Sequence, residues 1–289
     1  MEEKQVEKNY QEKKAHPSLG IIRLDYDYPP SLGEIDCAES FDYDVYYKVV
    51  PGLTFEMCKS GILLSKVEYR FKEAIRWLVK EKKVSAITGD CGFMMYFQSI
   101  AREVTSIPVF MSSLCQLPMI HCAFSSNAQI AILTANSKSF YAMHSTLKAE
   151  CGIDSRELRY HVIGCEDVEG FDAVDFKQKV DTERVEPGIV RKALEALDRY
   201  PETKVFLLEC TQLPPYADAI RVETGLPVFD SITTCNAFME AFRDNVRFGR
   251  NDWQEDWDGV QDEYEFAMEL TTSEQKELLQ NITRITEML

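Results

Sequence analysis

Two of the nine cysteines, Cys91 and Cys210, are set apart by an internal repeat. Cys91 precedes Pro108-Val109-Phe110 by 17 residues, and Cys210 precedes Pro227-Val228-Phe229 by the same 17. A gapless shift of 119 residues also superposes Arg102 on Arg221, Thr105 on Thr224 and Ser112 on Ser231. An acid stands directly before each cysteine, Asp90 in one half and Glu209 in the other. Each cysteine closes an apolar run, SAITGD and VFLLE, and opens a segment read as helical. In a parallel sheet that is where ligands bind. A helix N-terminus there is expected to lower the thiol pKa and raise the thiolate fraction. Free backbone N–H groups at the same turn suit a carboxylate. Two thiols facing one small acid from opposite sides are equipment for taking a proton off carbon. The remaining cysteines, Cys37, Cys58, Cys115, Cys122, Cys151, Cys165 and Cys235, read as small buried hydrophobes.

The positioning elements follow from hydrophobic pattern. Short apolar runs (SLGIIRLDY, KVSAITG, IPVFM, AQIAILTAN, RYHVIG, KVFLLE, LPVFDS) read as buried strands. Between them, VEYRFKEAIRWLVKEKK places Phe71, Ile75, Leu78 and Val79 on one helical stripe, and PGIVRKALEALDRY does so with Val190, Ala193, Leu194 and Leu197. The fold class expected is α/β: two pseudo-symmetric α/β domains with mostly parallel sheets and an active-site cleft between them. The repeating halves run roughly over 18–115 and 125–232. As domains this gives a mobile tail at 1–17, a first domain of 18–118 plus 233–289 with a C-terminal helical segment, and a second of 119–232. The cleft mouth is expected to present Arg23, Asp25, Tyr26 and Tyr28 from the first strand, and Thr134 and Asn136 from its counterpart. Asp90, Gly92, Phe93, Glu209 and Thr211 flank the thiols, with Thr211 either capping the following helix or binding substrate.

Composition narrows the partners. A net charge of −16 offers no basic face for phosphates, so nucleic acid is excluded. No apolar run is long enough to span a membrane, and the charged opening MEEKQVEKNYQEKKAHP lacks the apolar region of a secretory signal. An odd cysteine count with no C-x-x-C pair fits a reducing, cytoplasmic setting. The four histidines, His16, His121, His144 and His161, show no metal spacing, and no glycine-rich nucleotide loop is present, so no metal and no cofactor are expected. The dense acids of NDWQEDWDGVQDEYE read as solvated surface. Leu278, Ile282, Ile285 and Leu289 form a terminal apolar stripe, which makes a homo-oligomer an expectation beside packing within the chain.

Glu209-Cys210-Thr211-Gln212-Leu213-Pro214 resembles the second-cysteine motif of the aspartate/glutamate racemase superfamily, usually Gly-Cys-Thr-Glu-hydrophobic-Pro. The likeness covers nearly the whole chain. The first motif, Thr88-Gly89-Asp90-Cys91-Gly92-Phe93-Met94-Met95, departs from the Asn-Thr or Asn-Ser that follows the first cysteine in amino-acid racemases. Together with PGLTFEMC at 51–58, LLECTQLPPY at 207–216 and NDWQEDWDG at 251–259, it more closely resembles the Alma-type dimethylsulfoniopropionate lyases of marine algae.

The resemblance implies a cofactor-independent β-elimination on a small carboxylate. A base removes the proton α to the carboxylate of dimethylsulfoniopropionate, dimethyl sulfide departs and acrylate remains. Cys210 is expected as the base and Cys91 as its partner. The N–H groups of Gly92 and Thr211 are expected donors to the developing charge. Tyr28, Phe93, Asp90 and Glu209 are expected beside the sulfonium. A two-cysteine aspartate/glutamate-type racemase is the alternative, and a catalytically silent small-acid binder the third reading.

Overall fold

The computed structural model describes residues 16–172, 178–243 and 270–288. The chain divides into two compact units, 1–243 and 244–289. In the second, the described residues form one helix, Thr272–Met288, with Leu279 and Ile282 exposed. Most of the tail at 1–17, the acidic stretch at 251–265, and the stripe positions Ile285 and Leu289 lie outside what is described.

The first unit holds two four-stranded sheets of identical plan. In the first, β1 (Ser18–Arg23), β2 (Asp44–Val49), β3 (Ala86–Gly89) and β4 (Val109–Phe110) lie in the order β2-β1-β3-β4. In the second, β5 (Gln129–Thr134), β6 (Tyr160–Gly164), β7 (Thr203–Leu208) and β8 (Val228–Phe229) lie in the order β6-β5-β7-β8. Every pairing is parallel. The central strands β1 and β5 are buried along nearly their whole length. Both faces of a parallel sheet are covered, so such strands read as continuous apolar runs.

The strand β2 escapes that pattern. Its sequence DVYYKV has no apolar run, because it is an edge strand with one partner and half-exposed tyrosines.

Helices complete the layers: α1 (Phe55–Ser60), α2 (Ser65–Trp77), α3 (Gln98–Arg102), α4 (Leu117–Ala123), α5 (Ser137–Ala142), α6 (His144–Cys151), α7 (Thr182–Arg199), α8 (Ala217–Thr224) and α9 (Ser231–Glu240). Helix α2 buries Phe71 and Ile75 as expected, with Val67 and Ala74. Helix α7 differs from its expected stripe. It starts earlier, where the Asp181 side chain accepts from the Arg184 N–H, and it buries Val185, Ile189, Ala193 and Ala196. The expected Leu194 is 38% exposed. A window opened at Pro187 omits Val185, the first residue of the true i, i+4, i+8 face.

After the second sheet the chain returns to the first. A capping box starts α9: Asp230 Oδ1 accepts from the Thr233 N–H, and Thr233 Oγ1 accepts from the Asp230 N–H, both at 2.7 Å. Cys235 and Met239 of α9 then pack against Leu19, Ile21, Ala86 and Phe110, and Phe238 stacks on Phe110 with ring centroids 4.2 Å apart. Short polar bonds hold the halves together near the sheet ends. Ser113 Oγ donates to the Leu208 carbonyl at 2.9 Å, and Thr211 Oγ1 donates to the Asp90 carbonyl at 2.6 Å.

Candidate active site

Both sheets send their carboxyl ends to one place, where parallel strands leave room for a ligand. A cavity of about 180 Å³ lies there, lined from both halves. It is smaller than the roughly 300–1,000 Å³ typical of drug-sized ligands, as a small acid requires.

The repeat is visible in the backbone of the two cysteines. The Asp90 N–H donates to Ile22 O at 3.0 Å, carrying the chain off β3. The Glu209 N–H does the same to Leu133 O at 2.7 Å, off β7. Each cysteine carbonyl then accepts from the N–H three residues on, Cys91 from Met94 at 2.9 Å and Cys210 from Leu213 at 3.1 Å. Both thiol residues line the cavity.

The expected lowering of the thiol pKa does not occur at Cys210. Burial pushes that thiol well above its ordinary value, and the Glu209 charge adds to the rise; the Gln212 N–H opposes both. Cys210 keeps some exposed surface, but that surface faces the cavity, so the thiol titrates as a buried group. The chain geometry explains the difference. The helices α3 and α8 begin at Gln98 and Ala217, each seven residues past its cysteine (98 − 91; 217 − 210), with 3-10 turns between. The dipole of a helix end fades within a turn. Cys58, fully buried in the core, also meets the site: its thiol, raised by burial, stands beside Cys91.

The carboxyl groups are as unusual as the thiols. Glu209 is fully buried and accepts from Thr134 Oγ1 at 2.7 Å, and burial lifts its pKa to about 7. Burial and then the Asp36 charge raise Asp90 well above the carboxylate range, against the Leu24 N–H at 2.9 Å and Arg23. At the cavity wall, which Asp36 also lines, Tyr28 donates to Glu34 at 2.5 Å and to Asp36 at 3.2 Å. Arg23 lies 2.8 Å from Asp36. Burial lifts Glu34 to about 7.

Raised acids hold their protons more tightly in the native state than in the unfolded chain. Their contribution to stability is complete below the unfolded value and lost as pH climbs through about 7. Each is worth roughly 3 kcal/mol at most. The melting temperature is therefore expected to fall by several degrees between pH 5.5 and 8.5, and Glu34→Gln to flatten that fall. A melting temperature that rises over this interval would refute the protonated carboxyls.

Of the residues expected at the site, Tyr28, Asp90, Gly92, Phe93, Asn136, Glu209 and Thr211 line the cavity with both cysteines. Arg23, Asp25 and Thr134 do not. Arg23 and Thr134 sit behind it, holding Asp36 and Glu209. Asp25 is exposed and accepts from the Gly52 N–H at 2.8 Å. Beyond β1 the chain bends at Asp25; Leu24, Tyr26 and Tyr28 face the cavity, and Asp25 and Asp27 are exposed. Asn136 caps α5, its Oδ1 accepting from the Ser139 N–H at 2.9 Å. The Thr211 hydroxyl neither caps a helix nor stands free, being given to the Asp90 carbonyl.

Sequence reasoning left out of the site Phe55, Lys59, Cys165, Glu166, Phe171 and Gln212, all of which line the cavity. Cys165 directly follows β6, so a search of every strand exit finds it. Phe55 comes from α1 and has no such signal. It forms a corner with Tyr26, ring centroids 4.9 Å apart and planes at 70°, and Tyr26 in turn lies 6.0 Å from Tyr28. Among the described residues, no group of three or more His, Cys, Asp or Glu side chains is placed to hold a metal ion, and no helix is long and apolar enough to cross a membrane.

No protein-family model matches the chain. It is similar to curated proteins over most of its length. It is 52% identical to dimethylsulfoniopropionate lyase 7 of Emiliania huxleyi (strain CCMP1516), over 89% of this chain and 76% of the relative. It is 50% identical to the dimethylsulfoniopropionate lyase of Durusdinium sp. clade D, over 87% of this chain and 84% of the relative. Lyase 3 of the same Emiliania strain is 54% identical over 87% of this chain and 67% of its own length. Among solved structures, allantoin racemase from Pseudomonas fluorescens superposes with a TM-score of 0.51 at 17% identity, covering 78% of this chain and 89% of that one. A mutant arylmalonate decarboxylase in its sulfate-associated form gives 0.51 at 18% identity, covering 78% and 93%. These two share the racemase-type fold of two α/β halves.

Proposed function

The chain belongs to the dimethylsulfoniopropionate lyase family, and on that premise we propose that its cavity carries out a cofactor-independent β-elimination with the Cys210 thiolate as base. The observation that carries this reading is the placement of two thiols, from equivalent turns of two equivalent halves, on one small cavity.

The chemistry follows from the lining. A proton next to a carboxylate is weakly acidic, and a thiolate stripped of water is a stronger base than a solvated one. Cys210 takes that proton. The electron pair left on the α-carbon forms the new double bond as the bond from the β-carbon to sulfur breaks. Dimethyl sulfide leaves uncharged, and acrylate keeps the carboxylate. Cys91 faces the same space and positions substrate or returns the proton to solvent. The backbone N–H groups of Gly92 and Thr211 lie on the carboxylate side. Nine free cysteines support a reducing, cytoplasmic setting, and exposed Leu279 supports a homo-oligomer.

The aromatic corner of Tyr26, Phe55 and Tyr28 suits the sulfonium, whose charge is attracted to ring faces. That charge vanishes as sulfur leaves, so the corner favours bound substrate over the transition state. Phe55→Leu is therefore expected to raise KM by about tenfold without lowering kcat, as steady-state kinetics with varied substrate would reveal. An unchanged KM would remove the corner from the site.

The function itself is tested in heavy water with two substrates. With dimethylsulfoniopropionate, dimethyl sulfide and acrylate are expected in equal amounts. With aspartate or glutamate, no α-hydrogen exchange is expected. Exchange and recovery of both enantiomers would instead establish a racemase.

A further inference from the structure

The two acids that precede the thiols are placed alike. Glu209 is wholly buried and Asp90 is 7% exposed, and both line the cavity. In each, one oxygen is held from behind: Asp90 Oδ2 by the Leu24 N–H, Glu209 Oε2 by the Thr134 hydroxyl. In each, the other oxygen, Asp90 Oδ1 or Glu209 Oε1, is buried and meets no hydrogen-bond partner among the described residues. A Cβ on Gly92, beside Cys91, would overlap Glu209 Oε1, which puts that oxygen against the turn of the opposite thiol.

Charge decides what these groups are. No described salt bridge reaches Glu209, whose surroundings are Thr134 and the thiols Cys91, Cys165 and Cys210. Asp90 faces Arg23, Asp36 and Tyr28, but Arg23 lies 3.9 Å from it and 2.8 Å from Asp36. A buried carboxylate without a cation costs several kcal/mol, and the group takes up a proton instead. The proton then belongs on the free oxygen, since the other accepts from its donor in the rear.

We propose that Asp90 and Glu209 work as neutral carboxylic acids, one from each half, whose O–H groups donate hydrogen bonds to the substrate carboxylate. This rests on the β-elimination proposed above. When the Cys210 thiolate takes the α-proton, negative charge flows into the carboxylate, and two fixed O–H donors receive it. Both acids keep their protons throughout: the α-proton ends on Cys210, and its electron pair in the double bond of acrylate. Neutral Asp90 and Glu209 leave the space between the thiols to the anionic pole, and the aromatic corner suits the cationic one. One thiolate beside one protonated acid also sets the pH response. The pair Glu209 and Cys210 loses two protons in coupled steps, and only the singly protonated pair carries both base and donor.

Amide variants test this, because each amide keeps the rear acceptor and puts an N–H where the proposed O–H stands. Glu209→Gln and Asp90→Asn are expected to retain kcat/KM within about tenfold at their optimum, whereas Glu209→Ala and Asp90→Ala lose about a hundredfold or more. The wild-type profile is expected to be bell-shaped; in Glu209→Gln only the thiol titrates, so the rising limb moves to higher pH and the falling limb is lost. If Glu209→Gln is as poor as Glu209→Ala, or its falling limb persists, the proposal is overturned. Carbon-13 spectra of wild-type protein labelled at glutamate carboxyls decide the point even if a variant misfolds. Two resonances, from Glu34 and Glu209, should remain in the acid form at pH 6; if only one remains, its persistence in Glu34→Gln protein assigns it to Glu209, and the absence of a Glu209 acid resonance would overturn the proposal. Wild-type protein that releases no dimethyl sulfide would overturn the elimination, while the spectra still report the protonation state.

Discussion

Cys210→Ala is expected to lower kcat for dimethyl sulfide release by about a thousandfold, within the 10²–10⁴ that a positioned general base contributes. The loss follows from what remains in the cavity. Cys165 lines it too, but it follows β6 beside Glu166, away from the two equivalent turns that bring Cys91 and Cys210 to the cavity. Cys58 is sealed in the core behind Cys91. Glu209, the nearest acid, is protonated through much of the working range. None of these replaces a thiolate aimed at the α-carbon. Cys91→Ala is expected to cost less, because an elimination needs one base. The Cys210 side chain borders the cavity and packs against the core of the second half, so its truncation should lower the melting temperature by only a few degrees. A gas-chromatographic assay on folded variant decides the matter, and retained turnover would move the base elsewhere.

Gly92→Ala is expected to be as damaging for a different reason. A Cβ at position 92 would overlap the backbone carbonyl of Glu209 as well as its carboxyl group. A flexible side chain can swing aside, but that carbonyl leaves β7 at a fixed place, and the chain beside it is stitched to the first half by Thr211 and Ser113. Relief then requires the two halves to separate at the cavity floor. Overpacking of this kind costs about 1–3 kcal/mol, or several degrees of melting temperature at this size. Activity should fall by more than about a hundredfold even well below melting, since a shift of about 1 Å in reacting groups has that effect. Calorimetry and the dimethyl sulfide assay on the same sample separate the two losses. A variant with near wild-type activity would show that the contact between Gly92 and Glu209 is not needed to set the site.

The sequence carried the site's framework and left out much of its lining. The shift of 119 residues identified Cys91 and Cys210 because duplication preserves spacing, and the structure repeats it in the turns closed by Met94 and Leu213. Central strands were legible because parallel sheets bury both faces. The edge strand β2 was not, since half-exposed YY and K leave no apolar run. Phe55 was missed because α1 lies off the strand exits on which the search relied, and only the folded chain brings it against Tyr26. The outward side of Asp25 goes with a bend at that residue, past the end of β1. The direction of the Cys210 shift depends on how far the dipole of α8 stands from the thiol and how deeply the thiol is buried, and neither is written in local sequence. The same holds for Thr211, whose hydroxyl found a partner 121 residues away.

The central claim is that this cavity eliminates dimethyl sulfide with protein groups alone. It is tested most directly by dialysing wild-type protein against a metal chelator, supplying dimethylsulfoniopropionate with no other addition, and measuring both products. Undiminished release of dimethyl sulfide with an equal amount of acrylate is the predicted result. No release, or release restored only when a metal ion or organic cofactor is added back, would contradict it.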